Sequence, residues 1–499
     1  MHWADEVAER LIASGRELVV CTGITPSGEI HVGNLREMVT ADAVYRVLRE
    51  RGITPKFYYV ADTADPLRRV YPFLDQSYAA HVGKPLSEIP CPCGDHPSYA
   101  EHFLAPFLES LGELDIAAET VRVDELYRQG QYADAIIASL ENRDRIARII
   151  DEETGKKTAA KWSPFAPRCN RCGRISATVV KGFDKKAAQV EYECECGDRG
   201  WASMAGGGKL VWRVDWPARW NILKVTYEPF GKDHASRGGS FATGKRISEE
   251  VFGYPSPDHV IYEWISLKGM GDMSSSKGNV LTIKQMLEVV PPDILRYFIL
   301  RTPARKSIVL DPGQPFLRVI DEYDRAAASE ESKRSFELSS VRQAPAVEVP
   351  YRHLVSVVQM AANDPDEILN ALKRSGYDIS HREEILARAT YARRWLETFA
   401  PDEVKFELQD TLPAAASQLS EGQKKALLML AERLTAGMSA DDIHQLVYAI
   451  KDELHLQPKD VFEAVYIALL GKLSGPRAGW FLSALDMDFI KRRFREAAA

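Results

Sequence analysis

Residues 18–48 constrain the fold most. An apolar run, Leu18-Val19-Val20-Cys21, leads through Pro26-Ser27-Gly28-Glu29-Ile30-His31-Val32-Gly33-Asn34 into a segment with Leu35, Met38, Val39, Val47 and Leu48 on one helical face. Strand, glycine turn and helix in that order make a phosphate-handling element. Gly28 and Gly33 remove Cβ atoms where a ligand must lie against backbone, and the first helical turn offers N–H groups and a positive dipole end to an anion. His31 and Asn34 add side-chain donors. Far downstream, Met273-Ser274-Ser275-Ser276-Lys277-Gly278-Asn279 is a hydroxyl-rich loop with one lysine, flanked by Gly269 and Gly271. Such a loop can donate several hydrogen bonds to a leaving pyrophosphate. Either segment alone is a common pattern; their occurrence in this order is the informative fact.

Together they resemble the HIGH and KMSKS signatures of the class I aminoacyl-tRNA synthetases, with His31-Val32-Gly33-Asn34 at the first and Asp272-Met273-Ser274-Ser275-Ser276 at the second. The stretch Pro292-Asp293-Ile294-Leu295-Arg296-Tyr297-Phe298 is similar to the helix these enzymes carry next. Asn34 replaces the last histidine of the first signature, keeping a donor and losing a titratable ring. Asp272 and Ser275 stand where the second signature has lysines, so the phosphate-contacting charge falls to Lys277. Within class I, Thr22 to Ser27-Gly28, Trp212-Arg213-Val214-Asp215-Trp216, Phe230 to Ser240 and Met273 to Asn279 resemble the lysyl-tRNA synthetases, over most of residues 15–330.

That resemblance implies activation of lysine with ATP and Mg²⁺, then transfer to tRNA(Lys). It implies catalytic roles for His31, Asn34 and Lys277, and ATP contacts from Pro26, Ser27, Gly28, His31, Gly33, Asn34, Met273, Ser274, Ser275, Ser276 and Lys277. Selecting lysine requires a carboxylate and an aromatic face around a mobile ammonium. Gly23, Thr25, Trp216, His234 and Tyr262 fit the resemblance, with Asp215, Asp233 or Glu263 supplying charge. Two other classes share parts of the pattern. A small-molecule nucleotidyltransferase would have the histidine-bearing turn but no need of residues 330–499, and a non-catalytic RNA-binding relative would keep that tail and lose His31, Gly33 and Lys277. Glutamate is the first alternative amino acid.

Six of the seven cysteines form two clusters. Cys169-Asn170-Arg171-Cys172 and Cys194-Glu195-Cys196, each followed by a glycine, suit a closed tetrahedral zinc. Cys91-Pro92-Cys93-Gly94-Asp95-His96 with His102 mixes thiol, imidazole and carboxylate; no His-Glu-x-x-His pattern points to zinc hydrolysis. The resemblance implies a structural zinc here held by Cys91, Asp95, His96 and His102, with Cys93 competing for the place of Asp95. Cys21 reads as a small core residue.

The expected fold is α/β: a Rossmann-like doubly wound parallel sheet with a zinc-binding insertion, followed by an all-α anticodon-binding domain. Residues 1–155 form the first catalytic half, with a second strand at Lys56–Ala61 ending in Asp62-Thr63-Ala64-Asp65-Pro66. Residues 156–208 form a zinc-ribbon-like insertion closed by a hinge at Gly206-Gly207-Gly208. Residues 209–330 resume the sheet through strands at Leu210–Val214 and Val260–Ile265, and residues 331–499 are helical, with capping signals at Ser420 and Ser439. The formal net charge of −7 argues against indiscriminate nucleic-acid binding, leaving the tRNA reading to resemblance. With no apolar run near the roughly 20 residues that span a bilayer, the expectation is a cytoplasmic protein acting as a monomer away from membranes.

Overall fold

The computed structural model describes residues 2–273, 280–341 and 348–499. The chain forms two compact units: Met1–Leu287 with Leu295–Leu310 and Glu330–Val341, and Glu288–Ile294 with Asp311–Ser329 and Arg342–Ala499. The linear boundary expected at residue 330 is thus crossed more than once. The amphipathic helix Phe316–Ala326 is the reason: it lays Phe316, Leu317, Val319 and Ile320 inward and packs on the helix Tyr351–Met360 of the second unit.

The first unit is built on α1 (Trp3–Ala13), β1 (Val19–Ile24), α2 (Val32–Glu50), β2 (Lys56–Ala61), α3 (Tyr99–Glu113) and β3 (Glu119–Arg122). β1 pairs in parallel with β2, and β2 with β3. On the other side of β1, Val20 bridges in parallel to Tyr227 and Tyr227 to Asp258, and Phe230–Gly231 continues in parallel with Ile261–Tyr262. In space the sheet runs β3, β2, β1, then the 226–231 segment, then the 258–262 segment. Chain order reverses beside β1, which places a crevice at its carboxyl end. Leu35, Met38, Val39, Val47 and Leu48 of α2 are fully buried, as their helical spacing requires.

Two segments differ from the sequence reading. The expected strand at Leu210–Val214 ends at Leu210, and Trp212–Leu223 is a helix, so Asp215 and Trp216 do not alternate across a sheet. Bulky residues gave the segment strand character, but the deciding signal is the i, i+4 spacing: Trp216 stacks on Trp212 and packs tilted against Trp220, with ring centroids 5.4 and 4.9 Å apart. Val260–Ile265 is likewise no single strand. Ile261–Tyr262 belongs to the main sheet, while Ile265–Leu267 pairs with Ile308–Leu310 and Gly271–Asp272.

The cysteine-bearing segment contains an antiparallel sheet of Thr178–Asp184, Gln189–Cys194 and Arg199–Ser203. Its exit is locked rather than hinged. Gly208 pairs with Pro167, and a Cβ there would sit 2.5 Å from the Ala166 carbonyl oxygen.

The second unit is helical. Ser420 and Ser439 cap Glu421–Arg433 and Ala440–Glu453 with reciprocal capping boxes to Gln423 and Asp442. These helices and Pro458–Leu470 share a core of Leu427, Leu430, Ile443, Val447, Val461 and Val465. Among the described residues no helix is long and apolar enough to cross a membrane.

Candidate active site

α2 starts at the mouth of the crevice, and its first turn is closed by its own signature residues. The Gly33 N–H donates to His31 Nδ1 at 3.1 Å, and the His31 N–H donates to Asn34 Oδ1 at 3.2 Å. Gly33 is required here because a Cβ would lie 2.8 Å from the His31 ring. Burial pulls the His31 pKa down to about 4, so the ring is neutral at pH 7. With Nδ1 accepting from Gly33, the ring proton is on Nε2. Asn34, its Oδ1 used, keeps two amide hydrogens as donors. Pro26 and Gly28 are buried in the preceding bend, and the Ser27 carbonyl accepts from the Tyr99 hydroxyl at 2.8 Å.

Ser274, Ser275, Ser276 and Lys277 lie outside the described residues. The flanks of that loop reach the same turn. The Val32 N–H donates to the Leu281 carbonyl at 3.1 Å, His31 bridges to Thr282, and Met273 Cε lies 3.6 Å from where a Cβ on Gly33 would be.

At the end of β1, Gly23 sits near two acids, the half-buried Glu37 and the buried Glu228. Its N–H donates to Glu37 Oε1 at 2.8 Å, while Glu37 Oε2 accepts from the Tyr262 hydroxyl at 2.7 Å. A Cβ on Gly23 would meet Arg219 Nη1 at 3.3 Å and Glu228 Oε1 at 4.0 Å. Glu228 is held by the indole N–H groups of Trp216 and Trp220 at 3.1 and 2.6 Å. Burial pushes the Glu37 carboxyl up to about 8, against those two hydrogen bonds, and the charges that add to the shift are Glu228 and Asp233, both negative. Glu37 is therefore a half-buried acid whose own hydrogen bonds come from neutral donors. His234 lies beside Trp216, ring centroids 5.2 Å apart, and its Nδ1 is 2.5 Å from Ser240 Oγ. Glu263 is engaged by Lys232 at 2.5 Å.

Sequence reasoning missed Glu37 and Glu228. Glu37 was within reach, since it falls three residues after Asn34 and so on the same helical face. Asp215, by contrast, leaves the lysine set. It is fully buried, with Oδ1 accepting from Tyr132 and Arg219 at 3.1 and 2.9 Å and Oδ2 accepting from Tyr127 at 3.0 Å and facing Lys209 at 3.2 Å. Lys209 and Arg219 also bind Asp62, and Lys209 binds Asp65 at 2.7 Å. Asp65 in turn accepts from Thr25 Oγ1 at 3.2 Å, which connects this buried charge cluster to the strand end.

Two groups of side chains could hold metal ions. Cys169, Cys172, Cys194 and Cys196 converge, with Sγ–Sγ distances of 3.6 Å for Cys169–Cys196 and 3.7 Å for Cys172–Cys194. A tetrahedral ion with thiolates at about 2.3 Å spaces its sulfurs about 3.8 Å apart. The other group is Cys91, Cys93, His96 and His102. Of the two candidates for the fourth place, Cys93 rather than Asp95 converges with the other three. Gly94, with φ +83°, turns the chain so that the two thiols face each other at 3.2 Å and Asp95 falls outside the converging set. His96 and His102 meet because α3, capped by Ser98, begins between them.

A family model described as tRNA synthetases class I (K) matches residues 1–349. A protein named Lysine–tRNA ligase 1 from Methanosarcina acetivorans is 49% identical over all of this chain and 98% of its own length. The chain belongs to the class I lysyl-tRNA synthetases. A Lysine–tRNA ligase from Archaeoglobus fulgidus is 47% identical over the full length of both chains. A model described as an anticodon binding domain matches residues 392–498, within the helical unit. The structure of a glutamate tRNA ligase from Elizabethkingia meningosepticum covers 97% of this chain and 99% of its own at 13% identity, with a TM-score of 0.45.

Proposed function

We propose that this synthetase joins lysine to ATP as lysyl-adenylate at the carboxyl end of β1 and passes the lysyl group to the 2′-hydroxyl of the terminal adenosine of tRNA(Lys). Glu37 carries the choice of amino acid. A carboxyl with a raised pKa whose two hydrogen bonds come from neutral donors, with Arg219 engaged by Asp62 and Asp215 instead, lacks a cation of its own, and a lysine ammonium supplies it. Tyr262 orients Glu37; Trp216 and His234 form the adjoining aromatic wall, and Asp233 and Thr25 lie at the edge. Glutamate, an anion, would find repulsion there.

For the reaction, the lysine carboxylate attacks the α-phosphate and pyrophosphate leaves. The protein contributes position and charge. His31 donates through Nε2 and Asn34 through its amide to phosphate oxygens, backed by the N-terminus of α2. Lys277 with Ser274, Ser275 and Ser276 is assigned to the departing pyrophosphate. Mg²⁺ bound with ATP offsets phosphate charge; it has no dedicated protein cage in this reading.

The parallel order of strands around β1, with the cysteine-bearing segment inserted between β3 and residues 226–231, supports a Rossmann-like doubly wound catalytic domain formed by residues 1–155 and 209–330. Both four-residue clusters fit structural zinc, closed sites without a reacting position. Cys172→Ser is expected to release one of two zinc ions per chain and to lower the melting temperature by several degrees, read by metal analysis and calorimetry. Unchanged metal content would remove the four-cysteine assignment.

The deciding experiment is ATP–pyrophosphate exchange across the twenty amino acids, with and without total tRNA. Exchange with lysine is expected, and exchange that needs tRNA would mean that tRNA completes the site. Exchange with glutamate, or with no amino acid under either condition, would overturn the reading.

A further inference from the structure

The helix Trp212–Leu223 carries Trp216 and, one turn earlier, Arg213. Arg213 is half-buried, burial pulls its pKa down, and among the described residues no carboxylate pairs with it. Its hydrogen bonds go to uncharged oxygens. Nη1 donates to the Gly239 carbonyl at 2.9 Å and to Thr243 Oγ1 at 3.1 Å, and Nη2 donates to the Gly238 carbonyl at 2.8 Å. Thr243 passes its own hydroxyl hydrogen to the Ser240 carbonyl at 2.9 Å. Three successive carbonyls, of Gly238, Gly239 and Ser240, are thus gripped by one guanidinium and the hydroxyl it holds. Taking a cation part-way out of water without a counter-ion is costly, so the grip needs a reason.

The gripped turn lies against His234. Gly238, at φ +77°, bends the chain back. Gly239 then passes so close that a Cβ on it would run into the His234 carbonyl oxygen and lie 2.7 Å from that of Ser236. Ser240 follows, buried, with its Oγ 2.5 Å from His234 Nδ1. The other ring nitrogen is uncommitted: Nε2 has no hydrogen-bond partner among the described residues, and the Asp233 carboxylate stands off at 3.6 Å. Ring packing on Trp216 leaves an imidazole able to tilt and rotate, whereas a hydrogen bond at Nδ1 fixes where Nε2 points. Only an arginine makes this clamp from one position, because its planar fork reaches several acceptors at set angles and an ammonium is a point donor.

We infer that Arg213 is a positioning residue for lysine recognition: through the 238–240 turn and Ser240 it fixes the ring of His234 beside Trp216 and leaves Nε2 as the nitrogen that meets the amino acid. The inference rests on lysine binding at the wall formed by Trp216 and His234. Arg213 touches no substrate in this assignment. It acts through two intervening contacts, so its loss loosens lysine binding and spares the chemistry.

The test is lysine-dependent ATP–pyrophosphate exchange by the full chain with total tRNA present. Arg213→Met and Ser240→Ala are each expected to raise the KM for lysine about tenfold or more, with kcat and the KM for ATP changed by no more than about twofold. Arg213→Lys restores the charge without the fork and is expected to recover little of the loss. In a His234→Ala background the same substitutions should have almost no further effect on the KM for lysine, since no ring is left to place. A full rise in that background, or a fall in kcat with the KM for lysine unchanged, would show that Arg213 only supports the fold and would overturn the inference. Should Arg213→Met fail to fold, Ser240→Ala, which removes one hydroxyl and leaves the clamp intact, gives the same two readings. If His234→Ala leaves the KM for lysine unchanged, the lysine-site reading fails and takes this inference with it. If His234→Ala raises it and neither Arg213→Met nor Ser240→Ala does, the positioning role alone fails.

Discussion

Alanine in place of His31 is expected to slow lysyl-adenylate formation by about two to three orders of magnitude in single-turnover assays, the usual worth of one transition-state donor. The same residue caps α2, so a stability loss of about 1 kcal/mol should accompany the change. The two effects separate experimentally. His31→Asn retains a capping acceptor and should recover most of the stability while leaving the rate low. The ring also has a defined pH signature. Because its pKa is pulled from 6.5 to about 4 in the fold, His31 stays neutral and competent through the neutral range, and activity should show no acid limb near 6.5 attributable to it. Stability behaves differently: between about 6.5 and 4 the unfolded chain takes up a proton that the folded ring refuses, so this contribution is lost as pH falls through that window. An unchanged single-turnover rate in His31→Ala would remove the residue from the mechanism.

Glu37→Gln is expected to weaken lysine binding by about a hundredfold and to abolish its pH dependence. In the native enzyme Glu37 must lose its proton to meet an ammonium, and with a pKa near 8 it is mostly protonated at neutral pH. Lysine, whose side-chain ammonium titrates near 10.4, stays charged throughout. Affinity should therefore improve about tenfold per pH unit as pH rises from 6 toward 8, then level off. Stability carries the opposite sign. The raised pKa makes the fold's contribution from Glu37 full below about 4.5 and progressively lost as pH rises through about 8. Titration calorimetry at several pH values reads both features. A native affinity flat across this range would mean that Glu37 does not face the ligand.

The turn that opens α2 was legible in the sequence because a turn is local chemistry: His31, Gly33 and Asn34 lie within one helical turn, and their spacing alone dictates the capping contacts seen. Lys56–Ala61 and the caps at Ser420 and Ser439 were legible for the same reason. The side chains around Gly23 were less so. Glu37 faces Tyr262 across 225 positions, and Glu228 is assigned only by two indole N–H groups from another element. Asp215 was misplaced because its helix was read as a strand; its true partners, Tyr127, Tyr132, Lys209 and Arg219, come together only once that helix is in place. The Cys93 and Asp95 alternatives could not be separated by ligand chemistry, since the choice is made by the left-handed turn at Gly94.

Lys209 is the point where the inserted segment returns to its host. Insertions are commonly the parts of a fold that can be trimmed, because their ends meet and little is left behind. Here the returning strand Gly208–Leu210 carries the ammonium that Asp62, Asp65 and Asp215 share. Excising the insertion with Lys209 would leave three buried carboxyl groups with the buried guanidinium of Arg219 and the exposed, more distant Arg68 at 3.9 Å from Asp65, a charge deficit in the interior. The module is therefore not an ornament that a shortened descendant could discard. Its departure would have to be matched by rebuilding the floor beneath Thr25, so the two parts are bound to change together.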